Sequence, residues 1–308
     1  MKKYYYYFLF VLFVSMCTSV FSVAQDSLYK LGPQSQRQDN VPKGTVTKYT
    51  WESKLYGNFR DYYVYVPAQY DSAKPAALMI FQDGHAYVKE DGDFRVPIVF
   101  DNLIYKKEMP VTIGLFINPG HATKDYPESL FSSSNRSDEY DELSDRYVNF
   151  LTEELIPSLK RRYNISDNPK MHAIGGLSSG AICAFTAAWQ RPDYFHKVLS
   201  HIGSFANIKG GDVYPGLIRR NAKKDIKIFM QDGSNDLNNI YGDWWLSNLQ
   251  MESSFKFKSY EYKFEKGTGT HSGKHGGSIL PESLKWLWSD VKNNKTHNKH
   301  TVTSNENL

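Results

Sequence analysis

Apolar and polar positions alternate along this chain in two distinct rhythms. Unbroken apolar runs at 76–81 and 111–117 stop abruptly at Gln82-Asp83-Gly84-His85 and Asn118-Pro119-Gly120. Further strands are predicted at 171–177, 198–202, 226–230 and 260–264. Short apolar runs bounded by turn residues predict strands covered on both faces. Between them, apolar residues recur at helical spacing. The clearest case is 143–162, with Leu143, Tyr147, Phe150, Leu151, Leu155 and Leu159 on one face. Segments 97–105, 181–189, 243–255 and 279–288 are the other predicted helices. Stretches 46–52 and 60–66 alternate with period two around Tyr56-Gly57-Asn58, which predicts an antiparallel pair at a sheet edge. Segments 121–140 and 208–216 read as loops. Strands and helices in alternation predict an α/β fold with a mostly parallel sheet and helices on both faces. No repeat interrupts the pattern, so residues 44–290 are expected to form one domain.

The two ends follow other rules. Lys2 and Lys3 precede an apolar run to about Val14, and small residues end at Ser22-Val23-Ala24. That is the form of an export leader over 1–24 with cleavage before Gln25. The run is shorter than the ~20 residues a membrane span requires. Cys17 raises a lipoprotein alternative, disfavoured because Met16 before it is large. Without the leader one cysteine remains, Cys183, so no internal disulfide is possible. A periplasmic or secreted bacterial protein is expected. Residues 25–43 are polar and aperiodic, read as a flexible lead-in, and 291–308 as a disordered tail.

Composition narrows the function classes. The net charge of +4 is carried by Lys2, Lys3 and the tail, leaving a neutral body. No nucleic-acid groove is indicated. With 22 Tyr, 18 Phe and 6 Trp, some aromatics are available to line a ligand cleft. Nucleotide-binding glycine loops and zinc motifs are missing, so neither cofactor nor metal is expected. The acidic group Asp138, Glu139, Asp141, Glu142 and Asp145 reads as a helix start favoured by the dipole.

The chemistry centres on Gly176-Leu177-Ser178-Ser179-Gly180, placed between a predicted strand and a predicted helix. A serine on such a strand–turn–helix elbow stands exposed above the sheet, and the flanking glycines relieve the crowding. The helix N-terminus behind it favours developing negative charge. A serine hydroxyl needs a base, and the base an orienting carboxylate, from loops after later strands. The loop Gln231-Asp232-Gly233-Ser234-Asn235-Asp236 offers two acids. Asp232 suits capping of its own turn, and Asp236, deeper in the loop, is the preferred acid. Two histidines, His271 and His275, share the glycine-rich stretch after the last strand. His271 is preferred as base. His172, His196 and His201 read as structural. One oxyanion donor is expected from the Ser179 amide, the second from the 82–85 loop. Asp83, Tyr87, Arg136, Trp244 and Trp245 are cleft candidates.

With these residues placed, the chain resembles the enterochelin esterase-like esterases, an α/β-hydrolase branch. That branch is related to carbohydrate esterase family 1 (feruloyl and acetyl-xylan esterases) and to the secreted mycolyltransferases. The likeness runs over roughly 44–290. It rests on Phe81-Gln82-Asp83-Gly84, the serine elbow, Gly233-Ser234-Asn235-Asp236 and Gly269-Thr270-His271. It implies a Ser178–His271–Asp236 triad, backbone oxyanion donors at His85 and Ser179, and an ester of a sugar, phenolic acid or siderophore as substrate. Thr270 and Gly273 depart from the common Gly-Gly-His-x-Trp form, which keeps His275 as a rival. An acyltransferase with the same triad, or a non-catalytic carbohydrate-binding relative, are the alternatives.

Overall fold

A computed structural model describes residues 26–125 and 134–291 of the 308. The expected leader, Cys17 and all but the first residue of the expected tail lie outside them.

Eight strands form one sheet: β1 (Thr45–Ser53), β2 (Asn58–Val66), β3 (Ala77–Gln82), β4 (Thr112–Ile117), β5 (His172–Leu177), β6 (Lys197–His201), β7 (Lys227–Gly233) and β10 (Glu261–Gly267). Asn238–Asn239 (β8) and Gly242–Asp243 (β9) make a separate small hairpin. The sheet order is β1-β2-β4-β3-β5-β6-β7-β10. The β1/β2 and β2/β4 pairs are antiparallel and the rest parallel. This is the α/β-hydrolase fold. Strand β3 leads outward to β4, whereas β5 leads the other way through β6 and β7. The topology therefore reverses between β3 and β5, and the crevice beyond their C-terminal ends is where such sheets bind ligands.

The runs that form β3 to β7 are buried on both faces, as an internal parallel strand requires, whereas β10 at the sheet edge is only half-buried. Leu78 and Ile80 of β3 join one core, and Ala77, Met79 and Phe81 the other. The first core packs against a helical run over 146–160, the helix after β5 (Ser179–Gln190), and the helices Tyr214–Arg220 and Trp244–Phe257. Helices Val96–Tyr105 and Gly273–Leu287 close the second.

Several elements differ from the sequence expectation. The expected 143–162 helix starts at Arg146 and carries a π segment at Phe150–Leu155, where the Ile156 amide donates to Leu151 O. Pro157 follows directly and has no amide with which to restore the α pattern. Segment 208–216 holds the start of the Tyr214–Arg220 helix rather than only a loop. The closing helix begins at Gly273, not 279, with Ser272 as its N-cap. Segment 121–140, expected as loop, ends in the helix Ser134–Tyr140, which takes in Asp138 and Glu139, and of the acidic group only Asp145 stands at a helix start, as N-cap of the one that begins at Arg146. Glu139 is instead buried against Arg60, accepting at 2.9 and 3.0 Å, and against Asn58 at 2.7 Å. A buried guanidinium needs such a carboxylate. Residues 26–43 lie packed on the fold: Arg37 pairs with Asp101, and the Asn102 amide donates to Gln34 O and Gln36 O.

Candidate active site

Ser178 follows β5 directly with φ 56° and ψ −123°, a conformation an L-residue holds only when its surroundings over-determine it. Here its amide donates to His201 O at 3.0 Å, and its carbonyl accepts from the Ser204 amide at 3.2 Å. A Cβ on Gly176 would sit 2.4 Å from Gly180 backbone, so the turn closes only with glycine there. The helix Ser179–Gln190 starts immediately after, and the Ser179 amide, as its first, lies outside the helix's own bonding.

Two loops far along the chain converge on this hydroxyl. His271, between β10 and the closing helix, places Nε2 2.9 Å from Ser178 Oγ and Nδ1 2.5 Å from Asp236 Oδ1. The Asp236 side chain is fully buried in the turn after β7, where Oδ1 also accepts from the Leu237 amide at 2.6 Å. Asp232 lies behind it, accepting from the Gly233 amide at 2.7 Å and from Asn248 Nδ2 at 2.9 Å. Burial, then the hydrogen bond to Asp236 and the charge of that carboxylate, raise the Asp232 pKa well above the carboxylate range. Asp232 thus favours its protonated form at neutral pH, behind the carboxylate that meets the imidazole. Asp236 Oδ2 is buried with no other donor, and that proton suits it.

Ser204, which the sequence reading did not single out, is the second partner of Ser178, with Oγ–Oγ 3.1 Å. Trp244 Nε1 donates to Ser204 Oγ at 3.0 Å, and its ring meets His271 edge-on at 6.0 Å. Indole N–H only donates. Ser204 can therefore direct its proton at Ser178 Oγ, and Ser178 its own at His271.

The other candidates separate clearly. A cleft of about 520 Å³ opens beside Ser178, lined among others by His85, Lys89, Phe94, Arg136, Leu177, Ile202 and His271. Asp83 does not face it: both its carboxylate oxygens are taken by Arg136 at 2.8 and 2.7 Å. Arg136 itself lines the cleft. Tyr87 is fully buried, its hydroxyl 3.0 Å from His201 Nδ1, and Trp245 packs on Phe264. The His85 amide donates to Asn118 Oδ1 at 2.9 Å, so in this arrangement the end of β4 occupies the expected second oxyanion donor. His275 sits inside the closing helix, buried, with Nδ1 2.9 Å from Gln231 Nε2, and takes no part at Ser178. Among the described residues no group of three His, Cys, Asp or Glu side chains converges as a metal site would.

His201 illustrates what the buried imidazoles do to stability. Burial, with a small contribution from His275, lowers its pKa from 6.5 to about 3. The unfolded chain takes up a proton below about 6.5 and the folded chain does not, so stability falls as pH drops from there towards 3. At pH 5 this residue alone costs about 2 kcal/mol. The thermal midpoint is expected to fall between pH 7 and 5, and less steeply in His201→Gln. Parallel midpoint curves for the two proteins would contradict this.

Known proteins share this architecture. Residues 53–284 match the family model described as "Putative esterase". The uncharacterized protein YbbA of Bacillus subtilis (strain 168) is 23% identical over 254 residues, which is 77% of this chain and 95% of that protein. The enterobactin esterase FES from Shigella flexneri, solved in the presence of enterobactin, superposes with TM-score 0.67 at 18% identity, covering 84% of this chain. This chain spans only 64% of that protein's length. A CE1 ferulic acid esterase from the anaerobic fungus Anaeromyces mucronatus, in complex with ferulic acid, gives 0.63 at 16% identity, covering 83% and 97% of the two chains. At these identities the two solved structures share the fold.

Proposed function

Since the chain belongs to the esterase family, we propose that it hydrolyses carboxylic esters through a Ser178–His271–Asp236 triad and a covalent acyl-enzyme. The observation that carries this reading is one imidazole reaching Ser178 Oγ at 2.9 Å with Nε2 and a buried carboxylate at 2.5 Å with Nδ1. In the first half-reaction Oγ attacks the ester carbonyl while Nε2 takes the hydroxyl proton. Asp236 stabilises the imidazolium and holds its tautomer. Negative charge on the carbonyl oxygen meets the Ser179 amide at the helix N-terminus, a donor of the kind worth about 10²–10³-fold in rate. His271 returns the proton to the leaving alkoxide, and the alcohol departs. Water then repeats the sequence on the acyl-enzyme and releases the acid.

A second amide at His85 joins the oxyanion hole when the substrate oxygen displaces Asn118 Oδ1. The cleft volume accommodates an aromatic acyl group against Phe94, Leu177 and Ile202, consistent with the phenolic esters of the structural neighbours. We propose a phenolic acid ester linked to a sugar or siderophore as substrate. The test is a hydrolysis screen over feruloylated sugars, acetylated xylan and catecholate esters, with added sugar alcohol to trap acyl groups. Free acid from an aromatic ester supports the reading. Acyl transfer to the added alcohol in preference to water, or no turnover at all, overturns it. Export follows from the leader form of 1–24, and a mature chain that does not begin near Gln25 would contradict it.

A further inference from the structure

Residues 26–29 meet the loop that carries His271. Asp26 is only 6% exposed. Its Oδ1 accepts from the Thr270 amide at 3.0 Å, and its Oδ2 from Thr270 Oγ1 at 2.6 Å and Ser272 Oγ at 2.8 Å. One carboxylate thus grips both neighbours of His271. The Tyr29 hydroxyl accepts from the Thr268 amide at 2.9 Å, and the Tyr29 ring stacks on His275 at 4.2 Å. A Cβ on Gly269 would press on the Tyr29 ring at 3.1 Å, so the loop lies directly against this segment. Burial opposes ionisation of Asp26, but the bonds from Thr270 and Ser272, with Lys274 nearby, outweigh it and hold its pKa below the ordinary value.

We propose that Asp26 is a positioning residue for His271, and that 26–29 form a clasp fixing the imidazole over Ser178. The inference rests on the triad reading. It makes a segment far from the site in sequence, directly after the leader form, a condition of turnover. Gripping the two flanking residues leaves the histidine little freedom to swing. Misplacement of a catalytic group by about 1 Å costs on the order of 10²-fold.

The test compares Asp26→Ala, Asp26→Asn and Tyr29→Phe in the full chain, well below their thermal midpoints. Asp26→Ala is expected to lower kcat about 10- to 100-fold, with KM changed less than about threefold. Fluorophosphonate labelling of Ser178 should slow by the same factor. Asp26→Asn, which can still accept from the Thr270 amide and pair with both hydroxyls, should recover most of the rate, and Tyr29→Phe should cost only a few-fold. If Asp26→Ala does not fold, the doubly substituted Thr270→Val/Ser272→Ala chain removes the same hydroxyl contacts from the loop side and should show the same kcat-selective loss. An unchanged kcat in Asp26→Ala, or in the double variant where that stands in for it, overturns the clasp. So does an equal loss in Asp26→Asn. His271→Ala, measured alongside, separates the two claims. If it is inert while Asp26→Ala is fully active, the clasp fails and the triad stands, whereas wild-type labelling of His271→Ala removes the triad itself.

Discussion

Ser178→Ala is expected to lower kcat by about 10⁵- to 10⁶-fold, with the fold and thermal midpoint nearly unchanged. The size follows from what is removed. Without Oγ no covalent intermediate forms, and water must attack an ester that no nucleophile has opened. The residual rate comes from binding and from the Ser179 amide, which together keep some 10³-fold over solution. Stability should hardly suffer, because the hydroxyl is only part-buried and its two partners, His271 and Ser204, keep other contacts. Relief of backbone strain is not expected either, since alanine at φ 56° meets the same Cβ clash as serine. Steady-state kinetics on a p-nitrophenyl ester, with enzyme concentration checked by absorbance, measure the effect. A loss below about 100-fold, less than an oxyanion donor alone can account for, would show another group doing the chemistry.

Asp236→Asn should cost about 10⁴-fold in kcat, whereas Asp232→Asn should cost about tenfold or less. Both carboxylates lie in the same turn, yet the proposed triad gives them opposite duties. Asp236 Oδ1 accepts from His271 Nδ1, and an amide there either presents an N–H to the imidazole or stabilises no imidazolium. Asp232 bonds the turn and Asn248 and stays protonated, so a neutral amide already resembles its working state. The paired kinetics of the two variants decide the assignment. A silent Asp236→Asn beside an inactive Asp232→Asn would move the acid to position 232.

How far residues alone lead is clearest at individual positions. The inner strands were legible because burial on both faces demands apolar runs, and the elbow because two glycines bracket a serine between strand and helix. The loops holding Asp236 and His271 followed from chain order. Boundaries failed where glycine meant something other than a turn. Gly276 and Gly277 suggested a loop, yet they sit in a helix, and a Cβ on Gly277 would lie 2.1 Å from Asp93 O. There glycine permits close packing, and His275 is carried away from the serine. Tyr87 and Trp245 looked like cleft aromatics because composition does not tell which face of an element a ring occupies. Ser204, Asn118 and Asp26 were missed for a different reason. Each matters through a partner brought near by the sheet crossing, and Asp26 meets Thr270 across 244 positions, a contact local pattern does not encode.

The chemistry turns on whether the oxygen at position 178 becomes covalently acylated. Rapid mixing with a chromogenic aromatic ester, followed by acid quench and peptide mass spectrometry, reads this directly. One equivalent of the acyl group per chain on the peptide containing Ser178, formed in a burst and lost in His271→Ala, is the predicted result. Full turnover with that peptide unmodified at every quench time, and no burst, would contradict the account.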